Sequence, residues 1–119
     1  MRDATSPHIE TYRFGYILID GRPHDRDVII LPDRVMGGWW RKEGHVLHAD
    51  DLEAVFKAAP DLLVVGMGAY GRMAVSPETR RALQAAGIEF IALPTEEACQ
   101  TYNRLRVQQT VAAAIHLTC

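Results

Sequence analysis

Leu62-Leu63-Val64-Val65, then Gly66-Met67-Gly68-Ala69-Tyr70-Gly71, then Ser76-Pro77, then Gly87 and the run Ile88 to Leu93: this order decides the fold class. Four consecutive apolar residues bounded by turn residues read as a strand covered on both faces, the pattern of a parallel sheet. Ser76 before Pro77 marks a helix start, with a capping hydroxyl and a proline at the first helical position. Thr79, Ala82, Leu83 and Ala86 then fall on one apolar stripe. Gly87 stands where a helix stops in a left-handed residue. Ile88 to Leu93 is a second, mostly apolar strand. Strand, helix and strand at this spacing predict a right-handed crossover between parallel strands.

The pattern extends in both directions. Pro94-Thr95 predicts another helix, capped by Thr95, with Glu96 and Glu97 favourable in its first turn and an end near Gln108. Val111, Ala113, Ile115 and Leu117 alternate and predict a last strand. Upstream, Asp50 and Glu53 have the spacing of a capping box, and Leu52, Val55, Phe56 and Ala59 make a helical stripe that Pro60 ends. The first third reads as β. Tyr12, Phe14, Tyr16 and Leu18 recur with period two, and Asp20-Gly21 is a tight-turn signal. Pro23 argues against a regular strand directly after that turn, so pairing is expected to resume over Asp27–Leu31. Val35 to Trp40 is strand-like with a break at Gly37-Gly38, and Val46-Leu47 is a short strand. Residues 1–8 read as a disordered tail and 9–119 as a single α/β domain with a mixed sheet.

Composition narrows the function classes. The 119 residues carry 13 basic and 15 acidic side chains, a formal charge of −2, with no basic block. Nucleic-acid binding is therefore not expected. No apolar run approaches the roughly 20 residues that span a bilayer, so direct membrane insertion is not expected. Met1-Arg2-Asp3 opens no targeting pattern, and the expected location is cytoplasmic. Cys99 and Cys119 are too few for a disulfide framework or a zinc site.

The chemistry-bearing patterns are weak. Gly66-Met67-Gly68-Ala69-Tyr70-Gly71 matches G-x-G-x-x-G after a strand, but the helix starts five residues after Gly71. No acidic residue ends the next strand, so a dinucleotide site is not expected. A smaller anion or ligand at this strand end stays open, with Tyr70 and Arg72 beside it. His45, His48, Asp50 and Asp51 lack a metal-site pattern, and Asp50 is better spent on a helix cap. Cys99 near a helix N-terminus reads as a packed thiol. Trp39-Trp40, if extended, point to opposite faces, so one is expected in the core and one nearer solvent, where an exposed indole beside Arg41 makes a protein-interface anchor; the alternative is that both are largely covered within the fold.

The Tyr12–Gly21 strand and turn, the Asp27–Pro32 strand, Trp40, His45 and the Pro60–Gly68 strand and loop carry a family likeness. So do Gly87-Ile88, Thr95, Ala98, Tyr102-Asn103, Leu105 and the Val111–Ala114 strand. Together they resemble a family of small α/β domains of unknown function. It includes the mitochondrial respiratory complex I assembly factor 3 and the adipogenesis-associated domain-containing protein. The resemblance implies three layers around a mixed sheet, with the last strand antiparallel to its neighbours. It implies no catalytic residue, metal or cofactor. It points to Gly66, Gly68, Thr95, Tyr102 and Asn103 as residues lining or supporting the surface near the glycine loop. It also implies a non-enzymatic, bacterial protein-binding domain, an assembly factor for respiratory membrane complexes. The alternative is a small-ligand or anion binder, or an enzyme, using Gly66, Gly68, Tyr70, Gly71, Arg72, Thr95, Tyr102 and Asn103. In the first reading Trp39, Trp40 and Arg41 face a protein partner. A homo-oligomer paired through edge strands is a third expectation.

Overall fold

A computed structural model describes residues 6–119. The chain opens in a three-stranded antiparallel meander, β1 (Ile9–Arg13), β2 (Tyr16–Ile19) and β3 (Arg22–His24). Asp20 and Gly21 both have positive φ, which twists the β2–β3 turn to match its strands. Contrary to expectation, pairing resumes at once. Pro23 sits opposite Leu18 in β3, an edge strand, where a missing N–H costs no ladder bond.

The main sheet has five strands in the order β5-β4-β10-β7-β9. They are β4 (Val28–Leu31), β5 (Arg34–Met36), β7 (Leu62–Met67), β9 (Glu89–Leu93) and β10 (Val111–His116). β7 and β9 are parallel neighbours joined through helix α2 (Pro77–Ala85), the crossover arrangement expected. The last strand, β10, lies at the centre. It is antiparallel to β4 but parallel to β7, so the expected antiparallel direction holds on one side only. The helix α3 (Thr95–Leu105) carries the chain back along the sheet, which lets β10 start level with β7 and run the same way. A short parallel pair, β6 (Val46–Leu47) and β8 (Ala74–Val75), was half visible in the sequence.

Period two separates two cores. Val28, Ile30, Leu62, Val64, Val111, Ala113 and Ile115 face one side, where the meander's Ile17 and Ile19 and Ala98, Cys99 and Tyr102 of α3 cover them. Ile29, Leu31, Leu63, Val65, Ala112 and Ala114 face the other side. There they meet Leu52, then Val55 of α1 (Glu53–Ala58) and Leu83 of α2. This is a mixed three-layer α/β domain.

Local signals hold with small displacements. Ser76 Oγ accepts the Thr79 N–H at 3.1 Å and Pro77 opens α2. At the other end the Gly87 and Ile88 amides return to Gln84 and Leu83. The capping box expected at Asp50 and Glu53 moves two residues back: His48 is the cap, and the Asp51 carboxylate accepts its N–H at 2.9 Å to start a 3-10 turn, Ala49–Leu52, ahead of α1. The strand expected over 35–40 stops at Met36, because Trp39 N–H turns in to Asp27 O at 2.8 Å. α3 ends at Leu105, short of Gln108. Residues 1–5 of the expected tail lie outside the described residues, but Ser6-Pro7-His8 are tied down. Pro7 O accepts from Tyr102 Oη at 2.6 Å and Arg106 Nε at 2.9 Å, and Ser6 O accepts from Arg106 Nη2 at 3.0 Å.

Ala112, Ala113 and Ala114 are fully buried in the central strand, so both layers close over side chains of one carbon. Ala113→Leu should cost about 1–3 kcal/mol of unfolding free energy through overpacking. Urea denaturation measures it, and a neutral result would mean that the layer over Ala113 yields freely.

Candidate functional site

Asp27 lies just before β4 and His116 at the end of β10. Because these strands are antiparallel with Val28 opposite Ile115, their ends place Asp27 beside His116. Arg41 arrives from the loop after β5. Asp27 Oδ2 accepts from Arg41 Nη1 at 2.5 Å and from His116 Nδ1 at 2.8 Å, while Oδ1 accepts the Leu117 N–H at 2.8 Å. A carboxylate only accepts, so the His116 proton belongs on Nδ1. Arg41 Nη2, 3.1 Å from that nitrogen, then finds its acceptor in Gly44 O, also at 3.1 Å. The side chains of Arg41 and His116 are only 6% and 9% exposed.

Burial by itself would raise the Asp27 pKa. The bonds from His116, the Leu117 amide and Arg41 outweigh it and hold the carboxyl below the ordinary aspartate value. His116 Nε2 and Arg41 Nε are buried and have no partner among the described residues. With Nε2 sealed from solvent, the Asp27–His116 pair does not present a base to a substrate. Its effect is mechanical: it clamps the loop carrying Trp39 and Trp40 to the end of the central strand. Trp39 adds to the clamp, with Nε1 donating to Asp51 O at 2.9 Å and its ring 4.9 Å from the Arg41 guanidinium.

A second junction joins three strand ends. Thr95 Oγ1 accepts the Gly68 N–H at 2.8 Å and donates to His116 O at 2.6 Å. The expected N-cap role is therefore taken elsewhere: Thr95 is the first helical residue and its hydroxyl serves the sheet. Gly68 has φ +95°, and a Cβ there would lie 2.7 Å from Thr118 O and 2.9 Å from His116 Cδ2. A Cβ at Gly66 would press on Thr95 Oγ1 at 3.0 Å. These two glycines serve close backbone approach.

The structure thus brings Gly66, Gly68 and Thr95 together. Three amides of the loop are spent within the protein. The Gly68 amide goes to Thr95, Ala69 N–H to Thr118 O at 2.9 Å, and Gly71 N–H to Gly68 O at 3.1 Å. Tyr70 projects into solvent, with Arg72 5.7 Å over its ring and Phe14 6.5 Å away. Tyr102 and Asn103 lie seven and eight residues along α3 from Thr95, about 10–12 Å. They hold the start of the chain: Asn103 exchanges two bonds with Ile9, at 2.7 and 3.0 Å, and Tyr102 binds Pro7 O. His48 pairs with Glu43 at 2.5 Å and Asp50 with Lys42 at 2.7 Å, so these groups are spent on loop ion pairs. Asp27 was not singled out by the sequence. The signal was there, an acid abutting a buried strand whose partner strand ends in histidine, but it needs the β4–β10 register.

Residues 9–116 match the family described as Protein of unknown function (DUF498/DUF598). The chain belongs to this family. A conserved hypothetical protein from Pyrococcus horikoshii is 32% identical, with a TM-score of 0.81 over 93% of this chain and 98% of its own. A protein from Bordetella parapertussis is 26% identical, TM-score 0.81, covering 96% of this chain and 98% of its own. An outer membrane protein from Bartonella henselae shares the fold, at 22% identity and TM-score 0.82 over 100% of both chains.

Two outcomes test this site. Burial and then Glu96 push the Cys99 thiol up to about 12, so it stays protonated and covered. In native protein at pH 8 a thiol reagent should label Cys119 and spare Cys99 until denaturant is added; rapid labelling of both would contradict the packing. Asp27, with its folded pKa lowered, adds stability at pH above the ordinary aspartate value and loses it as pH falls through the folded value. Asp27→Asn should cost about 3–5 kcal/mol at pH 7, since it strands a buried guanidinium. It should also flatten the decline of stability below about pH 4. Urea unfolding across pH reads both effects.

Proposed function

We propose that this domain binds a protein partner and carries out no chemistry of its own, with Trp40 as the anchor. The observation that carries this reading is the exposure of Trp40, at 77%, on a loop whose neighbouring residues are fixed. On one side Trp39 is packed and bonded to Asp27 O and Asp51 O. On the other Arg41 is buried against Asp27. Of the three candidates read from the sequence, Trp40 alone faces out. Met36, 40% exposed, lies with it along a shallow cleft floored by Ile29 and Ala54 and rimmed by Lys42, Asp50 and Glu53. Tryptophan is enriched among residues that dominate interface energies, and a preordered loop reduces the entropy lost on binding.

The narrower reading takes the partner to be a subunit of a respiratory membrane complex and the domain to be its assembly factor, working from the cytoplasm. It rests on the family resemblance in the sequence. Among the described residues no helix is long and apolar enough to cross a membrane, so such a partner would be met at its exposed parts. The glycine-loop alternative is supported less, because the Gly68, Ala69 and Gly71 amides already serve the protein.

Trp40→Ala should change the unfolding free energy by less than about 0.5 kcal/mol, as expected for an exposed side chain. Stoichiometric capture of a respiratory-complex subunit from gently solubilised membranes should fall at least tenfold. Equal capture by both proteins, or capture by neither, would sink this reading.

A further inference from the structure

We propose that two copies of this chain pair through β9, in an antiparallel ladder centred on Ile91, to join their sheets into one of ten strands. β9 is a terminal strand, hydrogen-bonded to β7 alone. Its backbone directions follow from two bonds. Glu89 N–H donates to Asp61 O and Thr95 N–H to Gly68 O, both toward β7. Parallel strands alternate, so Glu89, Ile91 and Leu93 spend their backbone groups on β7, while Phe90 and Ala92 turn theirs outward. The free edge therefore offers two N–H and two C=O groups. Pro94, at the next outward position, has no N–H, and the Ile88 N–H is already given to Leu83 O. The ladder is bounded on both sides.

This short edge complements itself. With Ile91 on the two-fold axis, Phe90 of one copy lies opposite Ala92 of the other, and the two pairs exchange four hydrogen bonds. A large ring meets a methyl on one face, and the two Ile91 side chains meet on the other. The two Glu89 carboxylates fall at opposite ends, about 13 Å apart along the strands, where physiological salt screens them. Burial points the same way. The apolar residues of β4, β7 and β10 are buried save Met67, whereas Phe90, Ile91, Ala92 and Leu93 are all part exposed. An apolar edge of this kind invites pairing unless something covers it.

Size sets the strength. A five-residue edge runs about 17 Å, short of what buries the roughly 800 Å² per partner of a stable complex. The dimer expected is therefore weak and visible only at high protein concentration.

Sedimentation equilibrium of the full chain, from low-micromolar to near-millimolar concentration, should show the average mass rising toward twofold. Ala92→Pro, which removes an outward N–H, should hold the mass at that of one chain. A crosslink tests the register without relying on that variant. Across a non-hydrogen-bonded antiparallel pair the Cα atoms stand about 4.5 Å apart, within the disulfide range. In a Cys119→Ser background, Ile91→Cys should therefore oxidise to a covalent dimer, while Phe90→Cys, offset from its own copy, should not. One-chain mass at every concentration would overturn the proposal and leave β9 to a different partner's strand. Crosslinking at Phe90→Cys equal to or above that at Ile91→Cys would overturn it as well.

Discussion

The Asp27 carboxylate is the constraint on which the arrangement of the surface depends. It takes one N–H from the backbone after β10, one from the His116 ring and one from Arg41, and so joins the central strand, the strand beside it and the loop beyond the sheet edge. A buried carboxylate with fewer donors would be costly to ionise, and a buried guanidinium without it would be costlier still. Each makes the other tolerable. What the protein gains is position: a loop containing three glycines and several charged residues, which would otherwise sample many shapes, is held at Trp39 and Arg41. Trp40 between them is displayed without being free to fold back.

The fold was legible where a single element carried its own signal. The continuous apolar run at Leu62, the Ser76-Pro77 start and the Gly87 stop each describe a local requirement, and the structure meets each of them. The placement of β10 was not legible. Its alternation announces a strand, but nothing local says that it enters between β4 and β7 or that it runs parallel to one and antiparallel to the other. Three successive alanines were the available hint, since small side chains on both faces suit the place where two layers come closest. The caps show the same limit. Thr95 and Asp50 look like helix caps one residue at a time, yet Thr95 is drawn to Gly68 and His116, and Asp50 pairs with Lys42 while His48 caps the turn.

The candidate site was the least legible part. Its members come from positions 27, 41 and 116; strand register brings Asp27 to His116, and the loop after β5 brings Arg41 to both. The glycine loop is the opposite case. Its spacing imitates a phosphate-binding turn, but a turn of that kind must leave amides unspent, and here Thr95 and the backbone after β10 take those of Gly68 and Ala69. The glycines answer to crowding between three strand ends. Spacing alone reports that a chain bends sharply; what the freed N–H groups face decides whether anything can bind.

Four strands end the meander and the main sheet, and the first of them, β1, is tied at Ile9 to Asn103 of α3. β3 carries Pro23, which withholds a donor from any intruding strand. β5 is three residues long and ends in the anchored loop, so little backbone is left to template a pairing. β9 is five residues long and apolar, and its proline comes only after the outward-facing Phe90 and Ala92. β3 and β5 are blunted by the ordinary means and β9 is not. An undefended edge is a liability in a monomer, but as a bounded, self-complementary one it is a surface with a use. The proline that fails to protect it limits how far a partner can zip. β5 and β9 also lie at opposite ends of one sheet, so a copy paired at β9 leaves Trp40 facing outward on both ends of the pair.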